Sequence, residues 1–270
     1  MATYAFLADI HGNAEALLAV LLFLEPERVD RMVCLGDIVG YNPAGNACVR
    51  IMRERSIECI AGNHELIALG RMGFDRCAPS PAHALRQARR DLSTATRQFL
   101  GALPATRTYE GKIVVTHGSV DDVAEYMSTS ARILANAEVL AERHPGAMFC
   151  FFGHTHVPKV YEVGPGTLVE VPATGVVRVA GAGKTYFINP GSIDASRCRE
   201  KLAHFAVFDS ERQEVRFHGV AYDDGAVERA AAAAGYRLSV HRQWLEHARK
   251  RLKTGLSRLH AVASRGEVNR

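Results

Sequence analysis

No apolar stretch in this 270-residue chain approaches the roughly 18–20 residues that a helix needs to cross a bilayer. Its first residues, Met1 to His11, hold neither the basic region nor the long apolar core of a secretion signal, so the expected location is the cytoplasm. Cysteine is sparse: Cys34, Cys48, Cys59, Cys77, Cys150 and Cys198 show no CxxC spacing and no crowding. They are expected as buried, reduced thiols rather than as a disulfide scaffold. Tryptophan occurs once, at Trp244. The basic region around it is nearly devoid of stacking aromatics, so nucleic acid is not the expected partner.

The hydrophobic fraction of 47% and charged fraction of 23% are ordinary for a domain that buries a core. The net charge of +4 is uneven. Residues 225–270 hold ten basic and three acidic side chains, a net +7 that leaves −3 for the first 224. That asymmetry sets a boundary: a domain over 1–224 and a basic, amphipathic helical extension over 225–270. In the extension Val240, Trp244, Leu245, Ala248, Leu252, Leu256, Leu259 and Val262 recur at helical spacing. Such a stripe is expected to fold back on its own domain or to join copies of the chain as a homo-oligomer, with no membrane role.

Before residue 157, apolar strand-like runs (Tyr4–Ala8, Arg31–Leu35, Glu58–Ala61, Lys112–Thr116, Met148–Phe152) alternate with helical stretches (Ala14–Leu24, Pro43–Glu54, Pro81–Leu100, Ser130–Arg143). Alternation of this kind predicts an α/β fold with a mostly parallel sheet, and uniformly apolar strands predict cover on both faces. Beyond His156 the pattern changes to short strands with Gly and Pro between them, as antiparallel meanders show. The economical assembly is a four-layer α/β/β/α sandwich, two packed mixed sheets flanked by helices. Gly181-Ala182-Gly183-Lys184-Thr185 imitates the end of a phosphate-binding loop, but Arg178 stands where the motif needs glycine and a strand follows, so a turn is expected.

Each of the five early strands ends in a motif: Asp9-Ile10-His11, Gly36-Asp37, Gly62-Asn63-His64-Glu65, Thr116-His117-Gly118 and Gly153-His154-Thr155-His156. Loops beyond the carboxyl ends of strands are where open α/β sheets carry their sites. Asp9 and His11 alternate with Ile10 and can grip one ion, with His156 returning to it. Asn63, His117 and His154 can complete a second ion, and Asp37 can bridge the two. Mixed oxygen and nitrogen donors without thiolate suit open catalytic coordination of two divalent transition ions, manganese first and iron, cobalt, zinc or nickel as alternatives. Two ions about 3.5–4 Å apart can hold a hydroxide for in-line attack on a phosphoryl group. His64, adjacent to a ligand but not needed as one, is placed to protonate the leaving alkoxide.

In order and spacing these residues resemble the calcineurin-like metallophosphoesterase superfamily, whose signature (DxH, GDxxG, GNHE/D, a lone H, GHxH) is matched over about residues 1–195. Asn189-Pro190-Gly191-Ser192 looks like its small prokaryotic phosphodiesterase branch. The resemblance implies ion one on Asp9, His11, Asp37 and His156, ion two on Asp37, Asn63, His117 and His154, and His64 as proton donor or transition-state stabiliser. It also implies the two-sheet sandwich. Where phosphatases and symmetrical dinucleoside tetraphosphatases of the superfamily carry an Asp-Arg pair, this chain has Gly40-Tyr41-Asn42-Pro43. Without that guanidinium fork the expectation moves toward diesters, unless Arg71, Arg76 or Arg86 substitutes. Asn13, Tyr41 and Phe74 are the expected pocket walls. The function expected is hydrolysis of a small organic or nucleotide phosphodiester; the alternatives are a phosphomonoesterase, a dinucleoside polyphosphate hydrolase, or a catalytically silent scaffold on the same fold.

Overall fold

The computed structural model describes residues 2–194 and 200–238. In chain order the elements are β1 (Thr3–Leu7), α1 (Ala14–Leu24), β2 (Arg31–Cys34), α2 (Gly45–Glu54), β3 (Glu58–Cys59), α3 (Asn63–Ala68), α4 (Pro79–Asp91), α5 (Thr94–Gly101), β4 (Arg107–Tyr109), β5 (Ile113–Val115), α6 (Ser130–Arg143) and β6 (Phe149–Phe151). There follow β7 (Lys159–Gly164), β8 (Thr167–Val171), β9 (Val176–Arg178), β10 (Thr185–Asn189), β11 (Leu202–Asp209), β12 (Glu214–Ala221) and α7 (Asp224–Ala233). The strands form two six-stranded mixed sheets, ordered β3-β2-β1-β11-β12-β9 and β4-β5-β6-β10-β7-β8.

Strict alternation along each central strand makes the sandwich. In β1, Tyr4 and Phe6 point between the sheets, while Ala5 and Leu7 point toward the helical layer with Leu17, Val20 and Cys48. In β6, Phe149 and Phe151 face the other sheet and Cys150 joins Ile133 and Leu140 of α6 on the outside. Phe6 and Phe151 stack across the interface with ring centroids 3.8 Å apart. Both faces being covered explains why these strands read as continuous apolar runs.

Parallel pairing is confined to the strands that carry the motifs, plus β10 beside β6; in each sheet the remaining pairings are antiparallel. The late strands do not build a separate meander. They are shared out, with β11 entering sheet one beside β1 and β10 entering sheet two beside β6.

Three helical boundaries differ from expectation. The expected helix Pro81–Leu100 is two helices, because Ser93 leaves helical geometry and its Oγ accepts from Thr96 N (3.1 Å), capping α5. The Gly62–Glu65 motif opens the short α3, which a four-residue pattern is too brief to announce. The helix expected from Gly225 onward stops early: α7 ends at Ala233, and Gly235 follows at φ +74°, a left-handed terminus that glycine adopts freely. The apolar stripe from Val240 to Val262 lies outside the described residues. α7 packs on α4 through Ala231, Ala84 and Ala88. The segment Gly181–Lys184 is a turn closed by Lys184 N donating to Gly181 O (3.3 Å). Among the described residues no helix is long and apolar enough to cross a membrane. Cys34, Cys48, Cys59 and Cys150 are buried and Cys77 half-buried, all as free thiols; Cys198 lies outside the described residues.

Candidate active site

Parallel neighbours β1, β2 and β3 in one sheet, and β5 and β6 in the other, deliver their following loops to the same edge of the sandwich. Backbone bonds stitch those loops together. Asp9 N donates to Gly36 O (3.2 Å), His11 N to Asp37 O (2.8 Å) and Gly153 N to His117 O (2.9 Å). Across the sheets, His154 N donates to both oxygens of the Asp9 carboxylate (3.2 and 3.0 Å).

The backbone is strained where the chemistry is expected. Asp9, His11, Asp37, His154 and His156 all hold φ between +51° and +64°. For side chains larger than glycine this left-handed geometry costs on the order of 1–3 kcal/mol each, although Asp and His tolerate it better than most. The cross-links between loops hold these residues in place and turn their side chains toward one centre. Gly62 allows the closest approach: a Cβ there would sit 2.2 Å from Asp37 Oδ1.

Asp37 Oδ2 lies at that centre. His117 Nε2 is 3.3 Å from it, His64 Nε2 3.7 Å and His11 Nε2 4.0 Å. On one side Asp9, His11 and His156 form a group whose ligand atoms all lie within 4.8 Å of one another; on the other Asp37, His117 and His154 form a second. Asn63 Oδ1 joins the second, 3.0 Å from His117 Nε2. The seven residues expected as ligands therefore converge on one centre. His64 converges too, grouped with His11 and Asp37, so distance alone does not separate an acid from a ligand at this position.

The donors fit ions. Burial, with His64 and His156 nearby, drives the His11 imidazole well below its usual range, and burial drives His154 down to about 3, which favours the neutral form that a metal ligand needs. His154 Nε2 is buried without any hydrogen-bond partner, an arrangement that a cation would satisfy. His117 behaves differently: burial opposes its protonation, yet the Asp37 carboxylate outweighs this and lifts it to about 9. Its Nδ1 hydrogen-bonds Leu35 O (2.7 Å), which leaves Nε2 aimed at Asp37, the outer-shell orientation that metal-ligating histidines show. No cysteine enters these groups among the described residues.

Next to them lies a cavity of about 420 Å³, lined by Asp37, Asn63, His64, His154 and His156 at one end and by Ile67, Met72, Pro81 and Tyr126 among others beyond. Tyr41 lines it; its ring stacks on His11 (4.0 Å) and meets His64 edge-on (5.0 Å). Asn13 and Phe74 do not line it, which corrects their expected place. Asn13 is fully buried and its amide is spent inside the fold, Oδ1 capping α1 at Ala16 N (3.0 Å) and Nδ2 donating to Asp194 Oδ1 (2.9 Å). Phe74 instead lies under the Arg86 guanidinium at 4.9 Å. Of the three arginines considered as phosphate grips, Arg71 binds Gly101 O, Arg86 covers Phe74, and Arg76 alone lines the cavity, ion-paired to Asp122 at 2.6 Å.

Four contributors carry no role in the sequence analysis, although Asn189 and Glu65 stand within its motifs. Tyr126 packs against His154 with tilted rings, centroids 4.0 Å apart; it lies in an irregular segment with no periodic signal. Asp194 gathers the side-chain amides of Asn13 and Asn42. Asn189 Nδ2 donates to Gly153 O (2.7 Å) and Thr155 Oγ1 (3.0 Å), setting the histidine loop after β6. Glu65 is fully buried and its carboxylate accepts three backbone N–H groups, Asp37 and Gly62 at Oε2 (both 2.8 Å) and Val39 at Oε1 (3.1 Å). Its position three residues into α3, returning to the residue before the helix, is half of a capping box and could have been read. In Glu65→Gln one oxygen becomes an NH₂ that cannot accept, so at least one buried N–H is stranded. Thermal unfolding is expected to show a loss of about 2 kcal/mol or more, with weakened metal retention; unchanged stability would contradict this role.

The comparisons with known proteins agree with this geometry. The model of the calcineurin-like phosphoesterase superfamily domain matches residues 3–213. The chain belongs to that superfamily. A metallophosphoesterase structure from Sphaerobacter thermophilus is 30% identical, with TM-score 0.68 over 86% of this chain and 94% of that one. A hypothetical protein from Pyrococcus horikoshii OT3 shares the fold at 20% identity, with TM-score 0.66 over 88% and 95% of the two chains. An uncharacterized protein of Methanocaldococcus jannaschii is 28% identical over 224 residues, 81% of this chain and 87% of its own. As a member of this superfamily the chain is a metal-dependent phosphoric ester hydrolase, and the family implies divalent ions for the ligand groups described above.

Proposed function

We propose that this member of the superfamily is a binuclear phosphodiesterase acting on a small organic or nucleotide phosphate ester. The observation that carries the reading is the position of Asp37 Oδ2, which is grouped with His117 and His154 and also lies 4.0 Å from His11 Nε2 of the other group. Two divalent ions held there would polarise a phosphoryl oxygen and acidify water. Asp9, His11 and His156 would hold one, Asn63, His117 and His154 the other, with manganese the first candidate and iron, cobalt, zinc or nickel the alternatives.

The remaining groups act on the organic part of the substrate. His64 Nδ1 hydrogen-bonds Val39 O (3.2 Å), leaving Nε2 as the nitrogen that faces the centre and exchanges a proton with the leaving oxygen. Its backbone N–H donates to Asp37 Oδ1 (2.8 Å), so acid and bridging carboxylate are fixed to each other. The diester reading is supported by the cavity wall. Ile67, Met72, Pro81, Tyr41 and Tyr126 offer apolar and aromatic surface to an ester group, and the lining arginine, Arg76, is already balanced by Asp122.

A bis-aryl phosphate diester, an aryl monoester and a diadenosine polyphosphate should be compared in the presence of each candidate metal. The diester is expected to give the largest kcat/KM, with manganese most effective. Faster turnover of the monoester or of the polyphosphate would replace the diester reading by that alternative.

A further inference from the structure

We propose that Arg237, just beyond α7, is a positioning residue for the cavity wall, clamping the loop of Tyr41 and Asn42 against the imidazoles of the site. The guanidinium is held in a two-pronged grip by Glu228, Nε donating to Oε2 (2.9 Å) and Nη2 to Oε1 (2.7 Å). Its remaining donors reach the loop: Nη1 donates to Tyr41 O (2.7 Å) and Nη2 to Asn42 Oδ1 (2.8 Å). A planar fork with fixed donor directions transmits the position of α7 to this loop as a flexible ammonium would not.

The other end of the clamp is anchored. Tyr236 is buried with Ala84, Ala88 and Ala231 and its hydroxyl donates to Asp91 Oδ2 (2.8 Å), while Tyr41 packs on the same cluster. The loop is held from below as well, by Asn42 N donating to His11 O (2.8 Å) and Asn42 Nδ2 to Asp194 Oδ1 (3.2 Å). Asp194 N in turn donates to Asp9 O (3.0 Å). Arg237, Asn42, Asp194 and the backbone of Asp9 thus form one continuous chain from the segment after α7 to an expected ligand. What the clamp fixes is the Tyr41 ring, which stacks on His11, meets His64 edge-on and lies 6.2 Å from His156. Where the arginine-bearing branches of the superfamily would direct a guanidinium at substrate, the guanidinium reaching this loop is consumed in shaping it.

The consequence for substrate rests on the phosphodiesterase reading; the clamp itself does not. The full chain, loaded with manganese, should be compared with Arg237→Ala, Arg237→Lys and Glu228→Gln. Hydrogen exchange is expected to rise in peptides covering residues 38–48 of Arg237→Ala, with α6 unchanged and metal content equal to wild type. KM for the diester is expected to rise by about tenfold with kcat nearly unchanged, the scale of a lost charge-assisted bond. Millimolar guanidinium should restore it, Arg237→Lys should restore it only partly, and Glu228→Gln should move it less in the same direction. Unchanged exchange over residues 38–48 would overturn the clamp. Raised exchange with unaltered KM, or a fall in kcat tracking metal loss, would overturn its positioning role. If the wild-type protein turned over no ester, the functional reading would fail while the exchange result still decided the clamp.

Discussion

Asp37→Ala is expected to lose both ions at once. One carboxylate oxygen lies within reach of both ligand groups, with His11 of one at 4.0 Å and His117 of the other at 3.3 Å, and on the proposed reading it would serve both. Removing it leaves Asp9, His11 and His156 with one carboxylate, and leaves Asn63, His117 and His154 with none. It also removes the acceptor for His64 N and the carboxylate that holds the His117 proton, so both side chains lose a partner that orients them. Two ions held as proposed would supply several kcal/mol of charge stabilisation, so turnover is expected to fall by about a thousandfold or more. Metal analysis of the purified variant, beside wild type, reads the outcome. Retention of one full equivalent would show that Asp37 belongs to a single ion.

His64→Ala is expected to keep its metal and lose rate. General acid help is worth roughly 10²–10⁴, so a loss of more than about tenfold is expected. It should be steepest for esters with poor leaving groups, because a good leaving group needs no proton. The structure gives this variant particular weight, since His64 Nε2 lies 3.7 Å from Asp37 Oδ2, close enough to be grouped with His11 and Asp37. Full metal with a leaving-group-dependent loss identifies an acid. Loss of one equivalent identifies a ligand, and full activity removes His64 from the reaction.

The convergence of the expected ligands was legible because metal chemistry constrains residue type and because strand ends fix direction. Asp9, Asp37, His117 and His154 each follow an apolar run, and parallel strands bring such ends to one edge. The two-sheet architecture followed from the same runs, since strands without polar alternation must be covered twice. Strand sharing did not follow. Nothing local in β10 or β11 says which sheet it joins; that choice is made by long-range partners, Phe151 for Ile188 and Phe6 for Ala206. Asn13 was misplaced for a related reason, because a polar residue beside a motif reads the same whether it faces a cavity or caps a helix, and here Ala16 N claims it. The role of Arg237 was invisible because the loop it reaches lies some 195 residues back along the chain.

Anomalous diffraction from crystals of the manganese-loaded protein tests the central claim most directly. Two peaks about 3.5–4 Å apart are predicted, flanking the Asp37 carboxylate, one beside Asp9, His11 and His156 and the other beside Asn63, His117 and His154. A single peak, or two that share no carboxylate of Asp37, would contradict it.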